Sequence, residues 1–470
     1  MNRNNLALAF LVICPAIIYL LLMFPTPGAM PFGGADSYPY ISQLDPQFQA
    51  NNYCGIAPAL ATPDGVQWYP QAIGFFSILP TEYAYYLYVE FHLITGAFFF
   101  YILCGYVTKK YHLKAIGAFL YGTSFLAINT IQFGNLSFLT AFAYIPIILY
   151  FGMRAIKSYW AMDAIIAAIY SAFLFLGGGL LFLFPLLVFL LGKLVEEQLR
   201  KPNSKYINFV IVGAGTFAVL TYNKIYFMAH NLFNYIAPRS NWWGSFFYSI
   251  RTLTYQTGVT NVFWIFHNVL LLPVYSAAYS GFKSFSKFEK VFFVALLLDI
   301  LGLLPSFSFA VQHLSFRYSV FLYIFFLLAL IKRVSDKNNY KVLLLAMVLF
   351  GSTYIDDLRN IRDIQEKPID LSTGLEINNL TNGGWVVLDN GLFLNPALVF
   401  GLQKAGTKLV NPYDSVSYKG SYTCGGYYLS NYPLSSMANL TFVNEPTPRQ
   451  YFNVSFIKKI NNVFLYSIGG

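Results

Sequence analysis

The chain has 470 residues, 57% hydrophobic and 11% charged, against about 25% charged in an ordinary soluble domain, so most of it cannot face water. Its formal net charge of +10 would suit a nucleic-acid platform if the basic residues gathered on one wet face, but they lie between apolar runs, which argues against that reading. Four cysteines with no CxxC pair and no His/Cys cluster argue against a structural zinc site.

Apolar segments at 6–24, 84–106, 115–131, 137–153, 162–176, 179–194, 207–222, 261–281, 291–304, 318–331 and 342–354 predict an α-helical polytopic membrane protein of about eleven transmembrane helices. Residues 1–354 form the predicted transmembrane domain. Arg3 before the run 6–24 would also suit a secretory signal, but no small-residue cleavage site precedes Pro25. The following loop, 25–83, has no Lys or Arg, is rich in Pro, Gly and aromatics, and holds Asp36, Asp45, Asp64 and Glu82. A segment of that length and composition reads as a folded lid carrying function. Asp36 follows Gly33-Gly34-Ala35, where glycine lets backbone approach a ligand closely. It suits a general base for an acceptor hydroxyl at the lipid–water boundary, and equally a turn or capping aspartate. Asp45 before Pro46 and Asp64 before Gly65 have turn explanations.

Glu82 and Glu90 frame the start of the second helix, with Glu90 deep enough to need a partner and His92 beside it in sequence. Gly177, Gly178 and Gly179 make 162–194 either a hairpin or a broken pair. The loop 223–260 carries Arg239 and Arg251 around the interfacial anchor Trp242-Trp243. His267 and Asp299 lie within apolar runs, where ionisable groups mark function or pair for structure. Arg317 opens the tenth helix with His313 one turn before it. An arginine there snorkels to headgroups or binds a specific phosphate.

Charge placement orients the helices. With the N-terminus inside, inner connections hold 17 Lys and Arg, outer ones hold Lys224, Arg239, Arg251 and Arg317, and the tail after 354 holds nine. The expected protein is thus a multi-pass component of the cell membrane, with residues 355–470 forming an extracytoplasmic domain. Strand-like stretches at 383–391 and 452–468, broken by Gly and Asn, predict mostly β structure there. The same topology puts Cys54 and Cys424 outside, where an oxidising medium favours a disulfide if the geometry permits. Cys14 and Cys104 fall in apolar helices as small hydrophobes. Sequons at Asn379, Asn439 and Asn453 also fall outside, as glycosylation sites or as chance patterns in an Asn-rich tail.

The layout resembles the GT-C class of membrane glycosyltransferases, and within it the YfhO-like branch. The stretches that carry the resemblance are GGADSYPY at 33–40, FGNLSFLTAFAYIPIIL at 133–149, HLSFRYSVFLYIFFLLAL at 313–330 and the tail ending YFNVSFIKKINNVFLYSI. The resemblance implies transfer of a sugar from a polyprenyl-phosphate carrier to an extracytoplasmic glycan, lipid or protein. On it, Asp36 matches the catalytic aspartate of the first loop, and Arg317 sits near the donor phosphate, with His313, Arg239, Arg251 and Glu82 as further substrate-binding candidates. No Asp-Glu pair follows the first helix and no WWDYG-type motif occurs, the tryptophan pair reading NWWGS. That disfavours the oligosaccharyltransferase branch, identifies no metal ligands and leaves dependence on a divalent metal open. A transporter or flippase, usually built from internal repeats that are not evident here, and a non-catalytic scaffold for surface glycans or a surface layer are the alternatives.

Overall fold

The structure, a computed structural model, describes residues 3–25, 69–133, 136–231, 269–300, 318–365, 370–388, 396–410, 426–430, 433–434, 437–439 and 451–469. In chain order the helices are α1 (Arg3–Leu22), α2 (Pro70–Ile78), α3 (Thr81–Leu103), α4 (Tyr111–Gly122), α5 (Phe125–Phe133), α6 (Leu136–Ser158), α7 (Ala161–Leu176) and α8 (Leu180–Arg200). They continue as α9 (Tyr206–Asn231), α10 (Leu272–Phe282), α11 (Lys287–Ile300), α12 (Ser319–Lys337), α13 (Tyr340–Gln365), α14 (Leu371–Thr381) and α15 (Pro396–Lys404). Contacts divide the chain into two units: 1–24, 87–223 and 239–363 form one, and 25–86, 224–238 and 364–470 the other.

The first unit is helical. Among the described residues three helices are long and apolar enough to cross a bilayer, Tyr83–Tyr106, Leu136–Ser158 and Tyr206–Tyr226, with shorter apolar helices at Leu8–Leu22 and Ala161–Leu176. The apolar window of α6 is 89% buried and that of α9 only 11%. Helix α6 is therefore the centre of the bundle, whereas α9 presents Val210, Ile211, Val219 and Leu220 outward, as a lipid-facing helix does.

Pro146 lies inside α6 and has no N–H to offer the Phe142 carbonyl four residues earlier. The Tyr121 hydroxyl of α4 donates to that carbonyl at 2.8 Å, and the two rings stack with centroids 4.4 Å apart. A hydrogen bond lost within one helix is thus replaced by a side chain from another, as a buried backbone group requires.

The run 115–131, expected as one span, is two helices. The chain breaks at Thr123 and Ser124, where Thr123 Oγ1 donates back to Phe119 O at 2.9 Å and Ser124 Oγ accepts from Ala127 N at 3.3 Å. These short side chains compete with the helical ladder and start α5 afresh. At 162–194 the chain forms two helices, α7 and α8, separated by Gly177–Gly179, with Gly178 at φ 87°. Thr140 Oγ1 reaches Gly177 O at 3.3 Å, which seats this turn against the start of α6. Helices α10 and α12 approach so closely that a side chain on Gly281 would collide with the Ala329 backbone, a small-residue contact typical of helices packed in lipid. Helix α13 runs on to Gln365, eleven residues past the apolar run 342–354, with Tyr354, Leu358 and Ile361 buried along one face.

In the second unit the C-terminal chain forms a six-stranded sheet in the order β2-β1-β3-β6-β5-β4, with β1 (Trp385–Leu388), β2 (Lys408–Val410), β3 (Tyr427–Ser430), β4 (Met437–Asn439), β5 (Tyr451–Ile460) and β6 (Val463–Gly469). The sheet is mixed: β1 pairs parallel with β2 and β3, while β3–β6, β6–β5 and β5–β4 are antiparallel. Expected as mostly β, this part also contains α14 and α15, the latter making the crossover that a parallel β1–β2 pair requires. Asp370 caps α14 by accepting from Thr373 N at 3.2 Å. The core joins Ile377, Leu398, Val399 and Leu402 of the helices to Val386, Leu388, Leu429, Ile460, Val463 and Leu465 of the sheet.

Candidate functional site

Three helices of the first unit meet around buried polar groups: α1, α3 and α13. The Tyr354 hydroxyl of α13 donates to the Pro15 carbonyl of α1 at 3.2 Å. Two turns further on, Arg362 Nη1 donates to the carbonyl of Leu22, the last residue of α1, at 3.1 Å. An arginine at that position satisfies an orphan carbonyl and complements the negative end of the helix dipole. It also fixes the point from which the chain leaves α1 for the segment containing Asp36.

Glu90 of α3 lies within electrostatic range of the Tyr354 hydroxyl. One turn beyond Tyr354 on the same helix is Asp357, on the side of i+3 neighbours. Glu90 is 9% and Asp357 4% exposed, and neither Glu90 Oε2 nor Asp357 Oδ2 has a hydrogen-bond partner among the described residues. Asp357 lies beyond the apolar run; burial, and then the neighbouring Asp356, push its carboxyl up to about 8. Buried polar atoms are nearly always paired, so two bare carboxyl oxygens around one tyrosine mark a place where a ligand's donors fit. A protonated carboxyl there can donate a hydrogen bond as well as accept one. His92 is fully buried, with Nδ1 2.6 Å from Tyr88 O and its ring against Tyr88, Phe91 and Tyr144.

Beside Phe350, midway along α13, an apolar cavity of about 160 Å³ is lined also by Phe125, Leu271, Tyr275, Phe293, Ser319, Leu322, Tyr323 and Phe326. Its aromatic walls suit a hydrocarbon chain.

Of the residues singled out from the sequence, Asp36, Cys54, Arg239, Arg251, His267, His313, Arg317 and Cys424 lie outside the described residues. Glu82 falls in the first turn of α3, Asn379 is exposed on α14, and Asn439 and Asn453 fall in β4 and β5. Cys104 is buried and Cys14 half-buried, both as free thiols. Asp299 is buried near the end of α11. Among the described residues no group of three or more His, Cys, Asp or Glu side chains forms a metal-binding set. Tyr354, Asp357 and Arg362 escaped sequence reasoning because the charged run after 354 reads as the start of the tail. The apolar spacing Tyr354, Leu358, Ile361 was the available sign that the helix continues.

No family model matches the sequence, and no curated protein matches it. Among solved structures, the chain is similar to the arabinofuranosyltransferase AftD from Mycobacteria, determined by single-particle cryo-EM, with a TM-score of 0.51 and 14% sequence identity over 83% of this chain and 31% of that one. The chain therefore spans about a third of that protein's length. The likeness is one of fold alone.

Proposed function

We propose that the protein is a membrane glycosyltransferase that moves a sugar from a polyprenyl-phosphate carrier to an extracytoplasmic acceptor. The observation that carries this reading is the likeness in fold to an arabinofuranosyltransferase over most of the chain. The bare carboxyls of Glu90 and Asp357 support it, because sugar hydroxyls are their natural complement, and the aromatic cavity offers a seat for part of an isoprenoid chain. The same proposal extends to the YfhO-like branch, on the layout and the stretches quoted from the sequence.

In the proposed reaction Asp36 accepts the proton of the acceptor hydroxyl as its oxygen bonds to the anomeric carbon. The bond from that carbon to the carrier phosphate breaks, the phosphate leaves with the electron pair, and Arg317 stabilises its charge. The configuration inverts, since a single displacement with one base and a good leaving group suffices. Asp36→Asn should reduce transfer from a synthetic polyprenyl-phosphate sugar by about 10²-fold or more while leaving expression and thermal stability unchanged. Transfer at the parental rate by the purified variant would remove Asp36 from this role.

A further inference from the structure

A second cavity, of about 280 Å³, opens at the other end of the first unit, among the C-terminal ends of α6 and α8, the turn between α10 and α11, and α12. Its walls carry both signs of charge, and internal pairing accounts for much of it. Lys193 bridges Glu196 at 2.8 Å and Glu289 at 3.3 Å, and Glu196 also holds Arg200 at 3.0 Å. Glu289 is engaged a second time, accepting from Ser286 N at 2.7 Å while Ser286 Oγ accepts from Glu289 N at 3.2 Å, a reciprocal cap on α11.

Three charges lining the cavity stand outside this set. The Lys157 ammonium sits 4.3 Å from the Tyr106 ring centroid, a contact that leaves its N–H groups available to an oxygen acceptor. Lys332 pairs with Asp336, a residue outside the cavity wall, in a solvent-exposed pair at 3.3 Å. Glu197 also lines the cavity, with no side-chain partner shown among the described residues. An anion alone would face Glu197, and a cation alone would face two lysines. A ligand bearing both a phosphate and a protonated amine meets all three. The volume matches a headgroup rather than a whole lipid, and the surrounding connections are the basic ones expected at the inner membrane surface.

We propose that this cavity binds the headgroup of a zwitterionic aminophospholipid, with phosphate against Lys157 and Lys332 and ammonium against Glu197. The test uses the purified full-length protein in detergent, with thermal stability and native mass spectrometry read against phosphatidylethanolamine, phosphatidylglycerol, phosphatidylcholine and free O-phosphoethanolamine. Phosphatidylethanolamine should stabilise the protein most, raising Tm by about 3 °C or more. The double substitution Lys157→Ala/Lys332→Ala should weaken its retention about tenfold. Glu197→Gln should abolish the preference for phosphatidylethanolamine over phosphatidylglycerol while retaining the latter. Equal stabilisation by phosphatidylglycerol or phosphatidylcholine, or indifference to the double substitution, overturns the proposal. A free headgroup that stabilises as well as the lipid overturns its lipid half. Should the double variant not fold, Glu197→Gln alone decides, by whether the preference survives.

Discussion

The two ends of the first unit treat buried charge in opposite ways. At one end Lys193, Glu196, Glu289, Arg200 and Ser286 bind one another. At the other, Glu90 and Asp357 keep carboxyl oxygens without hydrogen-bond partners among the described residues. Burial itself does not separate these sets, since Glu289 is 7% exposed and Glu90 9%. Partnership does. A closed set of charges ties helices together and resists loss of any member, whereas an open set carries a desolvation cost that packing does not offset. Glu196 illustrates the closed case: burial pushes its carboxyl up, but hydrogen bonding to Lys193 and the charges of Lys193 and Arg200 outweigh that and hold it below the usual range. Asp357 illustrates the open case.

The contrast is broken most directly at Lys193. Lys193→Ala leaves Glu196 with Arg200 and Ser286, and Glu289 with the Ser286 amide, as their remaining partners and should destabilise the protein by on the order of 2 kcal/mol, read as a loss of melting temperature in detergent; an unchanged melting temperature would mean the set is ornamental. Asp357→Asn should act in the opposite sense. Because the folded carboxyl is raised from 3.8 to about 8, the folded state holds a proton that the unfolded state releases, and wild-type stability falls as pH rises through that window. The Asn variant should flatten this profile and be more stable at pH 8 by on the order of 1–2 kcal/mol, while losing transfer activity. A wild-type profile already flat between those values would refute the open-carboxyl reading. The smallest effect belongs to the second unit, where Glu376 pairs with Lys458 at 2.7 Å and both side chains are about half exposed. Glu376→Gln should change stability by less than about 0.5 kcal/mol, and a larger loss would show that exposure does not discount ion pairs here.

Much of the helical plan was legible because lipid enforces it: apolar runs near 84–106, 137–153 and 207–222 coincide with α3, α6 and α9. The triple glycine at 177–179 announced a break and is one. Failures occurred where local side-chain bonding overrides hydropathy. Thr123 and Ser124 divide a run that composition alone leaves whole. The tail's helices are short, and only Asp370 signals either of them, so strand-forming stretches dominated the reading. The site was legible only in part. Glu90 drew notice as a buried acid, but Tyr354, within its electrostatic range, and Asp357 one turn on arrive from a helix 264 residues later in the chain, numbering from Glu90 to Tyr354, and sequence proximity offered only His92, whose ring packs against Tyr88, Phe91 and Tyr144.

The Tyr121 bond to the carbonyl freed by Pro146 bears on how the protein moves. A hydroxyl on a rigid ring reaches one carbonyl, and the next equivalent one is a full helical turn away, about 5.4 Å. Sliding of α4 along α6 would leave both partners bare inside the bilayer, so shear between these helices is disfavoured. Whatever opening the protein undergoes must carry the two as a single body and place its hinges elsewhere.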